Sequence, residues 1–78
     1  MQITAQLFGD LKKYANNPEK KQWAGTVPEG MTIESLMDTI GLPKDKVRLV
    51  LVNDKLAHLE TTLANLDEVS FLTLLGGG

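Results

Sequence analysis

The sequence contains no cysteine, which excludes disulfides, thiolate metal sites and a cysteine nucleophile together, and fits a reducing compartment. Aromatic residues make up only 5% of the chain, with one histidine, His58, and two serines, Ser35 and Ser70. Nothing in the sequence brings these hydroxyls and that imidazole to an acid, so no catalytic residue is assigned. No second histidine is present to complete a metal site, and His58 reads as a surface residue. No stretch approaches the ~20 apolar residues that cross a bilayer. Met1 to Leu7 lacks the positive cluster and following apolar run of a signal peptide. A net charge of -2 gives no footprint for nucleic acid. Lys12, Lys13, Lys20 and Lys21 form a local basic patch without interleaved aromatics, which reads as a solvated face, with steering of an acidic partner as the alternative. The expectation is a cytoplasmic protein that is not an enzyme and needs no cofactor, metal, nucleic acid or membrane.

What is present is an ordinary globular composition, 42% hydrophobic and 23% charged, in 78 residues. That length gives one domain and one core, and a chain this short buries only ~60% of the surface its unfolded form exposes.

Hydrophobic period orders the elements. Ile3, Ala5 and Leu7 alternate with Gln2, Thr4 and Gln6, which predicts a half-buried strand over 2–8. Gly9-Asp10 ends it, Leu11 to Ala15 suits a short helical turn, and Asn16-Asn17-Pro18 is a loop. A second strand is expected from about Lys21 to Val27, with Trp23 and Val27 on one face. After the Pro28-Glu29-Gly30 turn the period changes: Ile33, Leu36, Met37 and Ile40 form one helical stripe. Thr32 is an N-cap, Glu34 suits the positive end of the dipole, and Met31 and Leu36 stand at the staple positions. Gly41 supplies a left-handed C-cap and Pro43 prevents resumption. Val47 to Val52 is apolar on both parities and reads as a central or covered strand. Asn53-Asp54 is a tight turn into a short edge strand, Lys55 to His58. Residues 59–66 are irregular, and a last strand runs from Val69 to Leu75.

Strand, strand, helix, strand, short strand, strand, ending in glycines, resembles the β-grasp of ubiquitin-like proteins. In detail it is similar to the MoaD/ThiS family of sulfur carriers, the molybdopterin synthase small subunit and the thiamine sulfur carrier. The residues that carry the likeness are Leu7-Phe8-Gly9-Asp10-Leu11-Lys12-Lys13-Tyr14, Pro28-Glu29-Gly30-Met31-Thr32, Leu49-Val50-Leu51-Val52-Asn53, Leu66-Asp67-Glu68-Val69-Ser70-Phe71 and Leu74-Leu75-Gly76-Gly77-Gly78. Members usually finish on two glycines after an aromatic-proline stretch, whereas this chain has three glycines after two leucines. The fold implied is α+β: a mixed four- to five-stranded sheet over residues 1–75, one main helix across one face, and a flexible glycine tail at 76–78. The first and last strands are expected side by side and parallel.

The function implied is that of a carrier. A ubiquitin-activating-type partner adenylates the terminal carboxylate with ATP, and a sulfur donor displaces AMP to leave a thiocarboxylate. A downstream synthase large subunit then consumes the sulfur, in molybdopterin formation or next in thiamine thiazole formation. Gly78 is the covalent acceptor as the chain stands, and loss of one residue would pass that role to Gly77. The chemistry suits the residues, since a terminal carboxyl group with a pKa of ~3.3–3.7 is already anionic at neutral pH. Gly76 and Gly77, without Cβ atoms, can thread a narrow channel, and three residues reach ~10 Å when extended.

Ordering that tail costs ~1–2 kcal/mol per residue, so contacts elsewhere must offset it. The expected source is an apolar patch on the outer sheet face. If Leu49 and Leu51 face the helix, then Val50 and Val52 face out, beside Leu72 and Leu74 and close to Leu75, as a docking site. Self-association or the 59–66 segment could cover the same residues instead. A glycine run is also compatible with a plain linker, and the same tail could form isopeptide bonds as a protein modifier or serve a docking module without covalent chemistry.

Overall fold

The computed structural model describes residues 1–73; Leu74 to Gly78 lie outside them. The first strand, β1, is Gln2–Leu7, and its alternation is realised: Ile3, Ala5 and Leu7 are buried while Gln2 is exposed. A 3-10 turn, Gly9–Tyr14, follows and buries Leu11. The second strand, β2, is Gln22–Thr26 and runs antiparallel to β1 with Ala5 opposite Trp23.

The single α-helix among the described residues, α1, is Ile33–Ile40. Its caps are those expected from the sequence. The Ser35 N–H donates to Thr32 Oγ1 at 3.3 Å, and Gly41 takes the left-handed conformation, φ 89°, with its N–H on the Met37 carbonyl. Ile33, Leu36 and Met37 are buried and Ile40 is half-buried. Burial of such side chains stabilises by ~1.5–3 kcal/mol each, which holds α1 to the sheet.

A short 3-10 turn, Lys44–Lys46, leads to β3, Leu49–Val52. Asn53 and Asp54 have φ of 51° and 69°, the signature of a type I′ hairpin, and return the chain as β4, Lys55–Leu56. The last strand, β5, is Glu68–Leu72. The strand order is β2-β1-β5-β3-β4, with β1 and β5 parallel at the centre and β5 antiparallel to β3. This is a β-grasp sheet with one main helix, as the order of elements led us to expect.

One face of the sheet meets α1 and buries Phe71, Ile3, Leu7 and Val69 with the helix residues. The two sheet edges differ. The Asn16 side chain pairs with the outer edge of β2 as a strand would, donating to the Ala24 carbonyl at 2.8 Å and accepting from the Ala24 N–H at 2.9 Å. Asn17 and Gln22 exchange backbone bonds beside it. The β2 edge is therefore closed to a further strand over this stretch.

Candidate functional site

The last described residues of the chain, Leu72 and Thr73, lie at the end of the sheet where β5 stops. There the base of the tail is held from both sides. The Phe8 N–H donates to the Phe71 carbonyl at 3.2 Å from the β1 side, and the Arg48 N–H donates to the Leu72 carbonyl at 2.8 Å from the β3 side. Gly9 sits against Thr73 with φ 57°, and a Cβ at that position would fall 2.4 Å from Thr73 Oγ1. Glycine is needed there for the backbone angle, and its missing Cβ leaves room for the Thr73 hydroxyl as it stands. Among the described residues β5 ends at Leu72 and the chain is held at Thr73; the domain boundary expected at Leu75 lies outside them. Gly76, Gly77 and Gly78, the expected tail and acceptor, lie outside the described residues.

The open face of the sheet, opposite α1, is polar at one side and apolar at the other. Gln2, Thr4 and Gln6 of β1 face the same way as Gln22 and Thr26 of β2, which are their register partners or neighbours. Across the sheet, Leu72 lies opposite Leu49, and Ser70 lies opposite Leu51. Leu51 in turn lies opposite Leu56 on β4, which is 63% exposed. These four leucines form an apolar patch next to the point where the chain leaves β5.

The patch is not the one expected from sequence. Val50 and Val52 were expected to face outward, but Val50 is opposite Phe71 and Val52 opposite Val69, both inward-pointing. Val50 is only 7% exposed, and Val52 packs against the core. The inversion has a physical cause. Leu49, Val50, Leu51 and Val52 are apolar on both parities, so period two carries no direction along this strand, and only its pairing with β5 sets the face. Val69 and Phe71 point inward as expected, which leaves Leu72 on the open face, half-buried. Leu74 and Leu75 lie outside the described residues. Leu49, Leu51 and Leu56 are the residues that sequence reasoning missed. The signal available was indirect: once Phe71 is placed inward, the antiparallel partner opposite it must be inward too.

On the β3–β4 side, Met37, Val47, Leu49, Leu56 and His58 line an open groove of about 310 Å³. His58 has no metal-ligand companions: among the described residues no group of three or more His, Asp or Glu side chains could hold an ion. Lys44 is drawn into ion pairs with Glu34 at 2.9 Å and Asp38 at 3.6 Å. The Glu34 hydrogen bond, then the charge of Asp38, raises the Lys44 pKa above its ordinary value. It ties the α1 surface to the 3-10 turn before β3. Among the described residues no buried polar side-chain atom lacks a partner, so none is left aimed at a missing ligand.

A family model matches residues 5–78, which takes in the sheet, the helix and the terminal glycines alike. The chain belongs to the ThiS family. No curated protein matches it. Among solved structures, this ThiS-family chain is similar to SAMP1 from Haloferax volcanii at a TM-score of 0.77, with 22% identity and complete coverage of both chains. It is similar too to a protein from Pyrococcus furiosus assigned as molybdopterin converting factor subunit 1. There the TM-score is 0.73 and the identity 16%, with 94% of this chain and 97% of the other covered. A second structure of H. volcanii small archaeal modifier protein 1 gives a TM-score of 0.71 at 20% identity, covering 90% and 93% of the two chains. At these identities the structures speak for the fold, and the ThiS assignment rests on the family match. Among the described residues of this ThiS-family chain, no helix is long and apolar enough to cross a membrane.

Proposed function

We propose that this ThiS-family protein is a sulfur carrier that acts through the carboxylate of Gly78. The observation that carries the reading is the family match itself, which extends through the glycine run to the last residue. The domain is then a handle, residues 1–75, and the glycines at 76–78 are the part that enters a partner.

The chemistry needs little from the carrier. Its terminal carboxylate, anionic at neutral pH, attacks the α-phosphorus of ATP in an adenylating enzyme of the ubiquitin-activating type, and pyrophosphate leaves. A sulfur donor then displaces AMP to give the thiocarboxylate, which a synthase large subunit consumes. The likeness to a molybdopterin converting factor subunit favours a molybdopterin synthase over a thiazole synthase as that consumer. The carrier contributes positioning. Leu49, Leu51, Leu56 and Leu72 offer an apolar docking patch whose burial offsets the cost of ordering the tail, at roughly 25 cal/mol per Å².

The likeness to small archaeal modifier protein 1 supports a second reading, a protein modifier; in that reading the glycine carboxylate forms isopeptide bonds with lysines. Both readings share the adenylation step and part at the acceptor. Intact-mass analysis of the protein incubated with the adenylating enzyme, ATP and a sulfur donor separates them. The carrier reading expects one oxygen exchanged for sulfur at the terminus, and attachment to lysines alone would replace it with the modifier reading.

A further inference from the structure

The charges of this chain are sorted along the sheet axis. At the end where β5 stops, the 3-10 turn Gly9–Tyr14 and the loop after it bring Lys12, Lys13, Lys20 and Lys21 against Asp10 and Glu19. Lys46 and Arg48 approach the same end on the other flank, with Asp45 between the turn lysines. The backbone ties both flanks to this end: Leu7 N–H donates to the Lys21 carbonyl, and Arg48 N–H to the Leu72 carbonyl. The opposite end carries Glu29, Asp54, Asp67 and Glu68 against Lys55 and the amino terminus, which lies 4.0 Å from Glu29. There Asn53 N–H donates to the Glu68 carbonyl and Thr4 N–H to the Asp67 carbonyl, which fixes those acids at the far ends of β3, β5 and β1. A net charge of -2 therefore conceals a positive end and a negative end.

Among the described residues these positive charges are also without ion-pair partners. Lys12, Lys13, Lys20 and Lys21 are exposed. Among the described residues the ion pairs involve only Lys44 and the amino terminus. Lys13 lies over the Tyr14 ring at 5.6 Å from its centroid, which fixes its stem without neutralising its charge.

We infer that Lys12, Lys13, Lys20, Lys21 and Arg48 form a basic collar around the base of the tail that docks on an acidic protein surface at the mouth of the cleft receiving it. The occupant follows from charge complementarity. A cation collar encircling the exit of the chain makes its approach to an acidic rim favourable only when the tail points inward, whereas the acidic opposite end is repelled. The collar thus orients encounter, and the leucine patch supplies the contact that lasts. Nucleic acid is the less suited occupant, because the acidic far end repels a long polyanion.

The inference takes its partner, the adenylating enzyme, from the carrier reading, and the test keeps the two separable. Association of the full-length chain with that enzyme is followed by stopped flow at ionic strengths of about 0.01 M and 1 M, where the Debye length falls from roughly 30 Å to 3 Å. Two variants are compared. Lys12→Gln/Lys13→Gln keeps polar side chains at both positions and removes two positive charges from the end where β5 stops. Lys55→Glu makes the same change in net charge at the far end. Thermal melts matching the unsubstituted chain establish that each variant is folded. The collar predicts that Lys12→Gln/Lys13→Gln slows association by ~tenfold at low salt and converges with the unsubstituted chain at high salt, and that Lys55→Glu stays within about twofold. Equal slowing in both variants, or none in either, overturns the collar. So does a loss confined to binding of a single-stranded RNA oligomer. The mass of the terminus in the same samples reports separately on the carrier reading. An unconverted carboxylate with collar-dependent association sinks that reading and leaves the collar standing, and conversion with salt-independent association does the reverse.

Discussion

Thr73 Oγ1 occupies the space that a Cβ on Gly9 would need, 2.4 Å away, and so the turn after β1 and the last described residue of the chain are locked together. Gly9→Ala should destabilise by about 1–2 kcal/mol, because φ 57° is costly for a residue with a Cβ. Rotation of the threonine side chain can relieve the contact itself, so Thr73→Ala in the same chain should recover only part of the loss. Chemical denaturation of both variants checks this; full recovery in the double variant would place the whole cost in the contact.

The helix face is tested by Leu36→Ala, which should cost ~2–5 kcal/mol by leaving a cavity between α1 and the sheet. Ile40 is half-buried at the end of the same stripe and should cost less. Denaturant melts in which Leu36→Ala is neutral would mean that α1 does not pack on Phe71 and Leu7.

Parity along β3 makes a sharper prediction. Val50→Asp places a charge opposite Phe71 in the core and should unfold the domain or nearly so. Leu49→Asp and Leu72→Asp face the open side and should leave the melting temperature nearly unchanged while weakening partner binding. Calorimetric melts of the three variants decide it, and a stable Val50→Asp protein would restore the inverted register.

Asn16→Ala should expose the Ala24 edge of β2 and remove two hydrogen bonds, at a cost of about 1–2 kcal/mol. The freed edge should also raise concentration-dependent association, measured by sedimentation velocity. A variant as monodisperse and as stable as the parent would show that Asn16 does not guard that edge.

How much of this was legible beforehand depended on whether neighbouring positions differ in polarity. β1 alternates apolar with polar, and its face was readable from Ile3, Ala5 and Leu7 alone. α1 was readable down to its caps, because Thr32 and Gly41 mark ends that a helix must satisfy locally. The Asn53-Asp54 hairpin was readable because two adjacent residues that tolerate positive φ have few other uses. β3 was readable as a strand and unreadable in direction, since Leu49 and Val50 are equally at home in a core. The docking patch inherited that ambiguity, which is why Val50 and Val52 gave way to Leu49 and Leu51. The close approach of Gly9 to Thr73 and the Asn16 clamp join positions distant in sequence, and no local pattern announces them.

The central claim is that the carboxylate of Gly78 is the working group of the protein. It is tested most directly by intact-mass analysis after incubation with the ubiquitin-activating-type enzyme, ATP and a sulfur donor. The account predicts a gain equal to the replacement of one oxygen by sulfur, located at the terminal residue. It also predicts loss of that gain on deletion of Gly77 and Gly78, with an unchanged melt because glycine brings no side chain to a core. A terminus that stays a plain carboxylate in the presence of an active partner would contradict the account and leave only a docking domain.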